Sequence, residues 1–139
     1  MMLLDLLKME KIIVKNSKGE IVEINSFTFS SATLNCHSQG ITEILSILND
    51  TIDLYCFNNE LTSLPKLPKT LKFLHCYRNK LTNLPELPQN LQHLICEHNN
   101  IKQLPDLRKI KKLTNVHCDI CCFEDYMLEM KDIDFKFYC

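Results

Sequence analysis

Four cysteines, Cys36, Cys56, Cys76 and Cys96, recur at one constant spacing, each inside the same pattern of leucines. Thr70–Gln89 reads TLKFLHCYRNKLTNLPELPQ, and the stretch that follows, Asn90–Lys109, reads NLQHLICEHNNIKQLPDLRK. A fixed period of this length marks stacked units, none of which can bury its own apolar face alone. The chain is therefore expected to form a quasi-one-dimensional solenoid in which each unit touches only its neighbours.

Each position of the unit has a physical task. Leu54 and Cys56, Leu74 and Cys76, and Leu94 and Cys96 alternate as short strands whose inward side chains build the core. Parallel strands from successive units pair at roughly 4.8 Å into one sheet. Leu71, Leu91 and Leu113 add an inward residue just before the strand. Asn59, Asn79 and Asn99 sit at the third position after each cysteine, with Gln39 in that place in the first unit. An amide there can bond the backbone groups left unpaired where the chain turns off the sheet, so these residues are expected to form a ladder. In the returns, Leu64-Pro65-Lys66-Leu67-Pro68 and Leu84-Pro85-Glu86-Leu87-Pro88 exclude a helix, because proline fixes φ and removes a donor.

Three parts follow. Residues 1–31 form an N-terminal cap, with a short amphipathic helix over Met1–Glu10 and a β-hairpin of Lys11–Val14 with Glu20–Ile24 around Asn16-Ser17-Lys18-Gly19. Residues 32–119 hold the repeats. Residues 120–139 form a C-terminal cap in which no repeat phase is visible. Ile44–Leu48 replaces the proline segment in the first unit and is expected to be a helical return.

The pattern LxxLxCxxNxLxxLPxLPxx resembles the 20-residue LPX class of leucine-rich repeats, found in secreted bacterial effectors and in repeat proteins of giant DNA viruses. The resemblance is close over Thr51–Asp106 and looser over Ala32–Asn49 and Lys109–Asp119. It implies a solenoid with one curved parallel sheet, extended or polyproline-like returns and a cap at either end. It says little about activity. Effectors of this class that act as ubiquitin ligases carry a large catalytic domain after the repeats, which residues 120–139 do not resemble.

A net charge of −1 gives no electrostatic footprint for nucleic acid or an acidic membrane surface. No paired acids, phosphate loop or triad spacing suggests an enzyme, and no cofactor is expected. Eight cysteines in a small chain could form a disulfide framework. Here four of them occupy an apolar phase, where a free thiol acts as a small buried hydrophobe. With no secretory signal apparent, a reducing cytoplasm is expected, that of a host cell if the source is viral.

Function is expected on the concave sheet face, at positions flanking each cysteine. One column reads His37, Phe57, Tyr77, Glu97 and Asp119; the next reads Asn35, Tyr55, His75, Ile95 and His117; the third reads Thr33, Asp53, Phe73, His93 and Asn115. Tyr55, Phe57, Phe73 and Tyr77 are expected to be exposed together on two adjacent strands, which favours contact with a partner protein. His75, His93, Glu97 and His117 complete the candidate partner-binding set. Cross-strand stacking that only stabilises the sheet is the plainer alternative.

Two other readings compete. Cys118-x-x-Cys121, with Cys122, Cys139 or His117, has a zinc-knuckle spacing and points to a zinc-binding or redox-sensitive module in the C-terminal tail, although no second pair accompanies it and Cys118 continues the core phase. A structural component of virion type with no dedicated ligand is the other. The basic run Arg108-Lys109-Ile110-Lys111-Lys112 is expected to be a solvated return. A monomer, or a weak dimer through a cap, is the expected state.

Overall fold

A computed structural model describes residues 11–25 and 32–139. Strands β1 (Lys11–Asn16), β2 (Ile21–Asn25) and β4 (Ile41–Ile44) form a small sheet in the order β2-β1-β4. The parallel strands β3 (Thr33–Asn35), β5 (Asp53–Tyr55), β6 (Phe73–His75), β7 (His93–Ile95), β8 (Asn115–Asp119) and β9 (Asp134–Tyr138) form the large one, in the order β3-β5-β6-β7-β8-β9.

Pairing in the large sheet is in step with the repeat. Leu34, Leu54, Leu74, Leu94 and Val116 lie in register. Together with Cys36, Cys56, Cys76, Cys96 and Cys118, each at most 2% exposed, they form the inner wall. Leu61, Leu81 and Ile101 close the core from the return side, also buried. A fully buried leucine contributes roughly 1.5–3 kcal/mol, so stacking of units supplies the main driving force. The returns that carry Pro65 and Pro85 are neither helix nor strand, whereas the one that carries Pro105 holds a short 3-10 helix at Leu107–Lys109. Neighbouring returns stack by single backbone bonds such as Lys80 N–H to Leu61 O at 2.8 Å.

The asparagine ladder forms as expected at Asn59, Asn79 and Asn99. Asn79 Nδ2 donates to the carbonyls of Cys56 and Cys76, both at 3.0 Å, while its Oδ1 accepts from Leu61 N–H. Asn59 and Asn99 repeat the arrangement one unit either way. Gln39 departs from it: its side chain is exposed, and only its backbone N–H joins the ladder, donating to Asn59 Oδ1. At the far end Cys121 occupies the asparagine position and donates its thiol to Ile101 O.

Three further points concern the ends. The hairpin is present, with Gly19 at φ 81° in its turn, but the expected helix over Met1–Glu10 lies outside the described residues. Ile44–Leu48 is not a helical return: Ile44 ends strand β4, which pairs antiparallel with β1, and residues 45–48 are neither helix nor strand. Ile41 and Ile44 point into the core while Thr42 and Glu43 do not, and the pairing with β1 satisfies the backbone as a strand does. Third, the segment without visible repeat phase supplies β9. It pairs with β8, placing Phe135 beside Val116 and Phe137 beside Cys118. Two phenylalanines thus take the leucine and cysteine positions one unit further on, after a return built of 3-10 turns at Ile120–Cys122 and Asp125–Glu129.

Candidate functional site

Alternation along each strand sends the residues between core positions to the opposite face of the sheet, and the register stacks them into three columns. Because β9 joins the sheet, each column gains a member that the sequence pattern did not reveal: Asp134, Lys136 and Tyr138. The alternation Phe135-x-Phe137 was the available signal, obscured by the change of both core residue types and of spacing.

The aromatic candidates do come together, but as half-buried rings, not as the freely exposed patch expected, because each covers its neighbour. His37 stacks on Phe57 with centroids 4.5 Å apart, and Phe57 on Tyr77 at 4.6 Å, both with planes 6° apart. Tyr55 meets His75 edge to face at 4.8 Å, and Phe73 leans on His93 at 4.7 Å. The register sets the spacing of these rings, while the angle between their planes differs from pair to pair, from 6° to 89°. The candidate His117 lies towards the C-terminal end, where it and His98 flank Tyr138 at 6.0 and 5.9 Å.

Polar groups on this face differ in how they are satisfied. Asp53 accepts from Thr33 Oγ1 at 2.8 Å. Asp119 accepts from the backbone N–H groups of His98 and Asn99, at 2.8 and 3.1 Å. In earlier units the N–H at the position of His98 donates to a backbone carbonyl of the next unit, as Arg78 does to Glu97 O. Two candidates are left with buried atoms lacking a hydrogen-bond partner: His75 Nε2 and Glu97 Oε2. Burial holds His75 below the usual imidazole range, reinforced by His93 and His117 and opposed by Asp53.

The cysteines sit elsewhere. Cys118 and Cys122 are buried, Cys121 and Cys139 exposed, and Cys122 Sγ donates to the same Ile101 carbonyl as Cys121. Among the described residues no group of three or more His, Cys, Asp or Glu side chains is arranged to hold a metal ion. Desolvation pushes the thiols of Cys36, Cys76, Cys118 and Cys122 up to about 12, which keeps them protonated. The basic run is broken by buried Ile110, and Arg108 forks onto Asp106 at 2.9 and 3.0 Å while lying 4.7 Å over the Tyr126 ring. A groove of about 640 Å³ lies away from the sheet face, between the returns that carry Leu67 and Leu87-Pro88.

Comparison with known proteins agrees with the repeat geometry. Among solved structures the chain is similar to YopM from Yersinia enterocolitica, with a TM-score of 0.61 and 28% identity over 64% of this chain and 19% of that one. It is equally similar to a Shigella effector LRR domain, with a TM-score of 0.61 and 32% identity over 64% of this chain and 40% of that one. The fold is a leucine-rich-repeat solenoid. This leucine-rich-repeat chain thus spans less than half the length of either structure, and its likeness is to repeat domains of bacterial-effector type. No protein-family model and no curated protein matches it. Solenoids of this kind generally act as protein-interaction modules, since stacking leaves an extended regular surface free for binding.

Proposed function

We propose that this leucine-rich-repeat protein is a non-enzymatic recognition module that binds a partner protein on the outward face of its parallel sheet. Tyr55, Phe57, Phe73, His75, Tyr77, His93, Glu97 and His117 form the contact surface. The observation that carries this reading is the continuous ring pile of His37, Phe57 and Tyr77, flanked by the Tyr55–His75 and Phe73–His93 pairs. Rings already locked against one another lose little conformational freedom on binding, which favours affinity. Tyrosine is also enriched among residues that dominate binding energy. The repeats belong, in this reading, to the 20-residue LPX class, and the buried thiols suit a reducing cytoplasm.

The test is a Phe57→Ala, Tyr77→Ala double variant whose fold is verified by circular dichroism. Affinity capture from the native host lysate is expected to lose a specific protein that the wild type retains. Identical captures by the two proteins would remove the sheet face as the binding site.

A further inference from the structure

The column His37, Phe57, Tyr77, Glu97, Asp119, Tyr138 changes its chemistry half-way along. Its first three rings are stacked with planes 6° apart, so the pile runs along the direction in which strands follow one another. Tyr77 is the last ring of the pile, and its second face is turned toward the next strand. The next unit offers Glu97 at the same position, just past β7, only 8% exposed and with Oε2 bonded to no group.

Glu97 is distinctive among the acids of the three columns. Asp53 is held by Thr33, Asp119 by two backbone N–H groups, and Asp134 by Asn115 at 3.4 Å and Lys136 at 4.0 Å. No ion pair among the described residues reaches Glu97, although Arg78 directly follows Tyr77. Burying a carboxylate without a partner is costly, and the cost is recovered when a cation arrives.

We propose that the Glu97 position is the seat of an arginine side chain supplied by the partner protein. The proposal rests on the sheet-face reading above and narrows the partner to one presenting an exposed arginine. Two features select arginine over lysine. A planar guanidinium extends a stack of parallel rings, lying against Tyr77 as Tyr77 lies against Phe57. Its forked N–H groups can at the same time engage the Glu97 carboxylate, which turns outward from its buried position and vacates that face of Tyr77 to meet them. The surrounding face favours this cation too, since its three columns carry four carboxylates against the single lysine Lys136.

The probe is the capped tripeptide acetyl-Gly-Arg-Gly-amide, titrated into the full chain and followed by amide chemical shifts, with lysine and citrulline versions alongside. Saturable shifts centred on Tyr77, Glu97 and His98 are expected with arginine, weaker ones with lysine and none with neutral citrulline. Glu97→Gln, with an otherwise unchanged spectrum, is expected to weaken arginine binding about tenfold, as loss of a charge-assisted pair does. Tyr77→Leu should weaken it independently. No saturable shift, equal shifts with lysine or citrulline, or undiminished binding by Glu97→Gln would each overturn the assignment. If the Phe57→Ala, Tyr77→Ala variant loses a captured partner that Glu97→Gln binds with unchanged affinity, the face is the binding site and the arginine seat is wrong.

Discussion

Asn79 reaches back to the carbonyl of Cys56 in the preceding unit, donating at 3.0 Å, and Asn59 donates to that same carbonyl at 3.1 Å. The carbonyl of Cys76 is shared in the same way by Asn79 and Asn99. Each rung therefore ties two units, and the turn off the sheet is satisfied by side chains in place of strand partners. Removing Asn79, which is 9% exposed, strands the Leu61 N–H and takes one donor from two carbonyls. Asn79→Ala is expected to cost roughly 3 kcal/mol, at the upper end for a buried group left unpaired. The half-buried Asn90, whose bonds to Lys69 O as donor and from Lys112 as acceptor lie open to solvent, is the control and should cost under about 0.5 kcal/mol. Urea unfolding of both variants measures the difference.

Immediately before each rung the backbone enters the left-handed region: Ser38 at φ 56°, Asn58 at 56°, Arg78 at 53° and His98 at 56°. Asparagine tolerates this conformation, whereas a long side chain such as arginine meets a steric penalty of roughly 1–2 kcal/mol. Arg78→Asn is expected to raise stability by about 0.5–1 kcal/mol, read as a higher urea midpoint at unchanged slope. A lower midpoint would mean that the Arg78 side chain contributes more than its strain costs.

Thiol reactivity should divide the eight cysteines in two groups. Cys121 and Cys139 are exposed, and the other six are buried. The thiolate is the reactive species, so thiols pushed up to about 12 by desolvation stay inert near neutral pH. A chromogenic disulfide reagent is expected to titrate two thiols in the native protein and eight in denaturant. More than two fast native thiols would contradict the packing of the cysteine column.

His75 is expected to make the solenoid sensitive to acid. Its folded value lies below the ordinary 6.5 because burial disfavours the charged ring, with His93 and His117 adding to the effect. The unfolded chain then takes up the proton more readily than the folded one. The resulting stability is complete above about 6.5 and declines as pH falls through the ordinary histidine range toward the lower folded value. His75→Gln should shrink the drop in Tm between pH 7.5 and 5.5. An unchanged drop would assign the acid sensitivity to other groups.

The interior of the solenoid was legible in the sequence because each inward position is decided by local alternation and repeated at a fixed spacing. Leu54, Leu74 and Leu94, the cysteines beside them and the three asparagines could be placed without coordinates. The ends were not legible in this way. Phe135 and Phe137 replace leucine and cysteine, so β9 has the period of a strand but not the signature of the repeat. Ile44–Leu48 lacks the prolines that exclude a helix elsewhere, and the pairing of Ile41–Ile44 is set by β1, a strand far upstream in the chain. The left-handed residues were hidden as well, since Ser38, Asn58, Arg78 and His98 share a conformation but no side-chain chemistry.

The candidate site divides along the same line. Which residues face outward, and in which column, follows from the sequence alone, because a strand alternates with period two and the repeat sets the register. Whether those residues are free or already engaged depends on contacts across strands, which no local pattern encodes. Tertiary structure turned an expected patch of exposed rings into a half-buried pile, bound Asp119 to the backbone of His98 and Asn99, and left Glu97 buried without a partner beside the last ring. Spacing determines where a side chain stands; only packing of neighbouring units determines what remains for it to bind.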